Sequence, residues 1–253
     1  MPTLIPSITN AAGERLGARL DLPLEGRPLA YAVFAHCFTC TKNIKAAAHI
    51  SRSLTKQRIA VLRFDFTGLG ESEGDFAETN FTSNVSDLVA VANYLGQEFE
   101  APKLLIGHSL GGAAVLQAAQ HIPSVVSVVT IAAPCETTHL SHLLADTKAL
   151  AEIEGEARVT IGGTTFKLRK QFFDDLDRTN MEKTIGSLDR ALLILHSPMD
   201  RTVSIDNAME IFQHARHPKS FISLDQANHL LSNQEDSWYA GEVIAAWASR
   251  YLS

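Results

Sequence analysis

The chain has 253 residues, of which 45% are hydrophobic, enough for one sizeable core in a single domain spanning residues 1–253. A charged fraction of 20% and a formal net charge of −6, with no basic block beyond the short Lys167-Leu168-Arg169-Lys170, exclude the field of a nucleic-acid binder. No run approaches the ~20 apolar residues of a membrane span, and the N-terminus carries no basic segment followed by an apolar one, so a soluble, cytoplasmic protein is expected.

In chain order, Leu4 to Ile8 and Arg15 to Leu22 flank the turn signal Asn10-Ala-Ala-Gly13 and predict a hairpin. Leu29 to Ala35 is an apolar run ending at His36. Ile59 to Phe64 reads as a buried strand, and Phe81 to Gly96 places Val85, Leu88, Val89, Ala92 and Leu95 at helical spacing. Lys103 to Gly107 is strand-like, and Ser109 to Ile122 is small, apolar and helical up to Pro123. Val125 to Ile131, Ala191 to Leu195 and Ser220 to Leu224 complete the strands, and Glu235 to Leu252 is the closing helix. Strands alternating with helices predict an α/β fold with a mostly parallel sheet covered on both faces, its site loops at the carboxyl ends of the strands.

Residues 134–188 break this rhythm. Thr138 to Ile153 reads as a helix, Ala157 to Leu168 as a hairpin around Gly162-Gly163, and a further helical run passes through Phe172-Phe173. An insertion of this length with elements of its own is expected to cap a site.

The segment Leu104 to Gly112 contains Gly107-His-Ser109-Leu-Gly111 between an expected strand and an expected helix. A serine on such a strand-to-helix turn projects its hydroxyl above the sheet beside the positive end of the helix, and close packing demands small neighbours. Ser109 is the expected nucleophile, and it needs a base. Of the ten histidines, His229 follows the last strand and alone comes after both serine and acid in the chain order Ser, Asp, His. His36 and His108 adjoin motifs with structural jobs, while His139 and His142 fall in the insertion, within possible reach of substrate. Asp200, on the loop after Ala191–Leu195, is the expected acid. Asp225 is its rival, but its place at the end of the strand that leads to His229 makes a histidine-facing geometry harder. A tetrahedral intermediate also needs donors for its oxyanion. The N–H groups of Leu110 and Phe38 are the candidates, with Phe38, Phe172 and Phe173 as aromatic pocket walls.

The segments His36 to Lys42, Arg63 to Ser72, Gly107 to Gly112, His196 to Val203 and Asn228-His229 resemble α/β-hydrolases throughout the chain. More closely, His36-Cys-Phe-Thr-Cys40 and Pro218-Lys-Ser-Phe221 are similar to the hydrolase half of bacterial proteins fused to an OsmC-type peroxidase domain. That resemblance implies an OsmC-type domain as partner, and no such half follows within these residues. A resemblance to cinnamoyl (feruloyl) esterases, with their His-Gly-Phe-Thr-Gly loop, implies esters of small aromatic acids and oxyanion donors at Phe38 and Leu110. Cys37 and Cys40 stand where that loop has glycines, and non-glycine residues resist positive φ.

Three cysteines, an odd number, argue against a disulfide framework. Cys37 and Cys40 read first as small buried residues, and secondly as a redox pair whose oxidation would distort the loop and lower activity. The expected function is that of a carboxylesterase working through an acyl-enzyme on a small-molecule ester, without metal or organic cofactor. Thioesterase, peptidase or perhydrolase chemistry on the same triad, or a non-catalytic binding module, are the alternatives.

Overall fold

The computed structural model describes residues 1–252. The elements run β1 (Thr3–Leu4), β2 (Ser7–Thr9), β3 (Arg15–Asp21), β4 (Ala30–Ala35), α1 (Lys45–Lys56), β5 (Ile59–Phe64), α2 (Phe81–Glu98), β6 (Leu104–His108), α3 (Leu110–Ala118) and β7 (Ser127–Ile131). After β7 come α4 (Thr138–Leu143), α5 (Ala145–Glu154), β8 (Glu156–Ile161), β9 (Thr164–Arg169), α6 (Lys170–Arg178) and α7 (Met181–Gly186). The chain then returns to the sheet through β10 (Ala191–His196), α8 (Asp206–His214), β11 (Lys219–Ser223) and α9 (Gln234–Leu252).

The main sheet has the order β1-β3-β5-β4-β6-β7-β10-β11, with β2 paired to β3. From β5 to β11 every pairing is parallel, whereas β1, β2 and β3 pair antiparallel. Parallel strands are buried on both faces, so their side chains alternate between two cores. Along β4, Ala32 and Phe34 pack with α1 and α9, while Val33 and Ala35 pack with α2 and α3. Along β10, Leu193 and Leu195 take the first face and Leu192 and Ile194 the second. The mostly parallel α/β architecture expected from the sequence is the one observed.

The helix expected over Thr138–Ile153 is two helices, broken at Leu144, where φ −109° and ψ 32° leave the helical region. The helix expected to reach Ile122 ends at Ala118, several residues before Pro123. The hairpin β8–β9 turns at Gly162-Gly163, both at positive φ, as their sequence predicts. No helix among the described residues is long and apolar enough to cross a membrane.

Candidate active site

Ser109 stands between β6 and α3 with φ 55° and ψ −126°, a conformation that costs a non-glycine residue roughly 1–3 kcal/mol. The surroundings over-determine it. Its N–H donates to Ile131 O on β7 at 2.8 Å. A Cβ on Gly107 would sit 2.2 Å from Gly111 O, and one on Gly111 would sit 2.4 Å from His36 O. The glycines of the turn are therefore required by the close approach of α3 to β4 and β6. Ser109 is 9% exposed, at the positive end of the helix dipole.

The loops after β10 and β11 bring two side chains to it. Ser109 Oγ lies 3.0 Å from His229 Nε2, and His229 Nδ1 lies 2.7 Å from Asp200 Oδ2. A carboxylate only accepts, so Nδ1 carries the proton and Nε2 is free to accept from the serine hydroxyl. The Asp200 side chain is fully buried. Burial raises its pKa, but the bond from His229 and the N–H groups of Val203 and Thr202 outweigh that and hold it below the usual carboxylate range. Asp225, the rival acid, is exposed.

Two further imidazoles border this line. His108 Nε2 donates to His229 O at 2.6 Å, and His196 Nε2 donates to Val203 O at 2.9 Å while lying 3.6 Å from Asp200 Oδ2. Burial lowers both pKa values, that of His108 to about 4, so both rings are neutral. Sequence reasoning placed His108 beside the site with a structural job, and missed the contact of His196 with Asp200. The only available signal for His196 was that it lies four positions before Asp200. His139, in the insertion, donates from Nε2 to Thr202 O at 3.0 Å, and His142 is exposed.

The loop after β4 carries the expected second oxyanion donor, Phe38. Its two ends are fixed. His36 donates from Nδ1 to Cys37 O at 2.8 Å and accepts the Phe66 N–H at Nε2, 3.2 Å away. At the other end Lys42, fully buried, is held through three groups. Its N–H and Nζ reach Asp65 at 2.6 and 2.5 Å, and its carbonyl accepts from Arg63 Nη1 at 2.6 Å. Glu71 adds a second carboxylate 2.7 Å from Nζ. Among the described residues, the Phe38 N–H donates to no protein acceptor. The Leu110 N–H belongs to the first turn of α3, where intrahelical acceptors are lacking.

Cys37 and Cys40 form a disulfide, with Cα atoms 5.3 Å apart, leaving Cys135 free and buried. This corrects the reading of the pair as two small buried thiols. The turn that returns Cys40 N–H to Cys37 O at 3.1 Å brings the two side chains within bridging reach. It also corrects the concern about glycine replacement, because the positive φ of the loop falls on Thr39 (61°) rather than on either cysteine. The oxidised loop coexists with an aligned Ser109, His229 and Asp200.

A cleft bordered by Phe38, Leu110, Gly111, Phe66, Phe76 and Asn84 lies beside the expected donors and is almost filled, with ≈ 10 Å³ of free space, about one water. Phe38 packs on Phe172 with ring centroids 5.5 Å apart and on Phe76 at 5.7 Å; Phe76 meets Phe166 of the hairpin at 5.1 Å. Of the three aromatics expected to wall a pocket, only Phe38 borders this cleft. Phe172 and Phe173 are fully buried in the core, on the α6 face that they share with Leu176, and Phe172 backs Phe38 from behind. The insertion is tied down here: Asn80 donates to Gln171 at 2.6 Å, Thr82 to Asp175 at 2.7 Å, and Arg169 pairs with Glu78. Among the described residues no group of three His, Cys, Asp or Glu is placed to hold a metal ion.

Comparisons with known proteins bear on the fold and the family. The structure superposes with a TM-score of 0.82 on the esterase domain of a Rhodothermus marinus protein, at 50% identity over the full length of both chains. Est1E of Butyrivibrio proteoclasticus, solved with ferulic acid, superposes with a TM-score of 0.80 at 17% identity, covering 98% of this chain and 99% of that one, a likeness of fold. The mouse mitochondrial palmitoyl-protein thioesterase ABHD10 is 25% identical over 70% of this chain, which spans 61% of that protein's length. The sequence pattern described as the alpha/beta hydrolase family matches residues 32–247, and the chain belongs to that family.

Proposed function

We propose that this hydrolase is a serine carboxylesterase in which Ser109 is the nucleophile, His229 the general base and Asp200 the acid that orients it. The observation that carries the reading is the pair of bonds Ser109 Oγ–His229 Nε2, 3.0 Å, and His229 Nδ1–Asp200 Oδ2, 2.7 Å. The serine proton passes to His229 as Oγ attacks the ester carbonyl, and Asp200 stabilises the imidazolium. The oxyanion is met by the N–H groups of Leu110 and Phe38. His229 returns its proton to the leaving alcohol, and water activated by the same nitrogen releases the acid.

Ester rather than other acyl chemistry is supported by the 50% identical esterase domain. Small to medium acyl or aromatic-acid esters are the proposed substrates by likeness of fold to Est1E, solved with ferulic acid. The ≈ 10 Å³ beside Phe38 holds no more than a water, so the acyl group must displace the Phe38 side chain or lie outside that cleft. Thioester hydrolysis is the second reading, favoured by similarity to the mouse thioesterase. A panel of p-nitrophenyl, feruloyl and acyl-thioester substrates tests both. The expected result is kcat/KM highest on the oxygen esters and zero with Ser109→Ala. Thioesters turned over faster by tenfold or more would replace the first reading with the second.

A further inference from the structure

The two neutral imidazoles beside the triad share a pattern. In each, Nε2 donates to a backbone carbonyl, His229 O for His108 and Val203 O for His196, while Nδ1 is buried without any partner. A buried, unsatisfied ring nitrogen is destabilising, and an apolar side chain of similar size would avoid it. The donor on the other side of each ring is what an apolar replacement cannot supply.

What the donors hold is specific. The loop from Leu224 to Ser232 is closed by short-range bonds, Ala227 N to Leu224 O and Leu231 N to Asn228 O. The His108 bond instead ties the backbone of His229 itself to the residue preceding Ser109, across 121 positions. Ser109 is fixed by its own bond to Ile131, so this contact sets the base against the nucleophile. On the acid side, the N–H of Val203 donates to Asp200 Oδ1 at 3.0 Å and its carbonyl accepts from His196, so one residue is gripped from both directions. The His108 ring also lies against that of His229, with centroids 5.2 Å apart.

We propose that His108 and His196 are positioning residues for the reaction, neutral Nε2–H donors that fix the base-bearing and acid-bearing loops relative to Ser109. This rests on the assignment of Ser109, His229 and Asp200 as the triad. A displacement of the base by a fraction of an ångström lengthens the serine–imidazole bond, lowering the rate of acylation without altering the surfaces that bind ester.

The test is steady-state hydrolysis of a p-nitrophenyl ester, together with the rate of covalent labelling by a fluorophosphonate. His108→Leu is expected to lose about 10- to 100-fold in kcat with KM within twofold, and the labelling rate falls in parallel. His108→Gln, whose amide places a donor near the former Nε2, regains most of that loss; His196→Gln behaves likewise relative to His196→Leu. A folded His108→Leu within twofold of wild type, or Gln and Leu variants that are equal, overturns the proposal. Should the leucine variants fail to fold, nitrogen NMR of the wild-type imidazoles decides: two neutral Nε2–H tautomers at pH 7 are expected, and an Nδ1–H tautomer or a protonated ring refutes it. His229→Ala separates the two levels. If it is inactive while His108→Leu is unimpaired, the positioning role alone falls; if it keeps a tenth or more of the wild-type activity, the triad reading falls first.

Discussion

Cys37 and Cys40 are joined by a disulfide that closes around Phe38 and Thr39, so the residue expected to stabilise the oxyanion sits inside a covalent loop of four residues. His36 and Lys42 anchor the chain on either side, and the cross-link removes the remaining freedom between them. Cys40 is partly exposed, whereas Cys37 is buried. Reduction by dithiothreitol, which yields two protein thiols and the cyclic disulfide of the reductant, is expected to lower kcat about three- to tenfold. The Cys37→Ser/Cys40→Ser variant should show the same loss with or without reductant. Equal activity of the oxidised and reduced wild type, with thiol titration confirming reduction, would show that the cross-link does not serve the donor.

The acid can be identified by pairing two variants. Asp200→Asn keeps the shape but presents an amide to His229 Nδ1, favouring the wrong tautomer; a loss of about 10³- to 10⁴-fold in kcat is expected. Asp225→Asn, at an exposed position, should stay within twofold. Kinetics on one ester suffice, and the reverse ranking would move the acid to Asp225.

Gly111→Ala is expected to destabilise the fold by about 2–4 kcal/mol, since its Cβ would meet backbone, His36 O at 2.4 Å and Ala35 O at 2.7 Å, rather than a movable side chain. Denaturant unfolding measures this. Gly96→Ala is the control, with its nearest neighbour at an ordinary 3.5 Å in a helix that favours alanine.

Stability should fall on mild acidification. His108, His36 and His196 all have pKa values lowered by burial, that of His108 to about 4 from 6.5. The unfolded chain therefore binds protons that the folded one refuses, and stability rises with pH across that interval. The contribution is fully present above pH ~6.5 and is lost as pH falls toward 4. Melting temperatures should decline from pH 7 to pH 5, less steeply in His108→Gln. A Tm unchanged over that range would contradict the burial of neutral rings.

Much of this was legible in the sequence because local rules act there. Ser109 is announced by a strand, a glycine-flanked turn and a small-residue helix, and the alternating cores of β4 and β10 follow from apolar runs of strand length. His229 and Asp200 could be ranked by chain order and by loop placement after strands, and the structure brings His229 to Ser109 and Asp200 to His229. What remained hidden depends on contacts between distant segments. Nothing local marks Lys42 as buried, since Asp65, Arg63 and Glu71 meet it from other segments, and the structural job of His108 takes its partner, His229 O, from 121 residues on. The break at Leu144 left no glycine or proline to mark it. The cysteine count pointed away from a bridge because it weighs frameworks, whereas a single four-residue turn decides this one.

The most direct measurement of the central claim is intact-mass analysis of the folded protein after reaction with a fluorophosphonate, followed by peptide mapping. One adduct per chain on Ser109, absent in Ser109→Ala and formed at least a hundredfold more slowly in His229→Ala, is the predicted result. No adduct on the folded wild type, or an adduct that persists in Ser109→Ala, would contradict the assignment of Ser109 as the activated nucleophile.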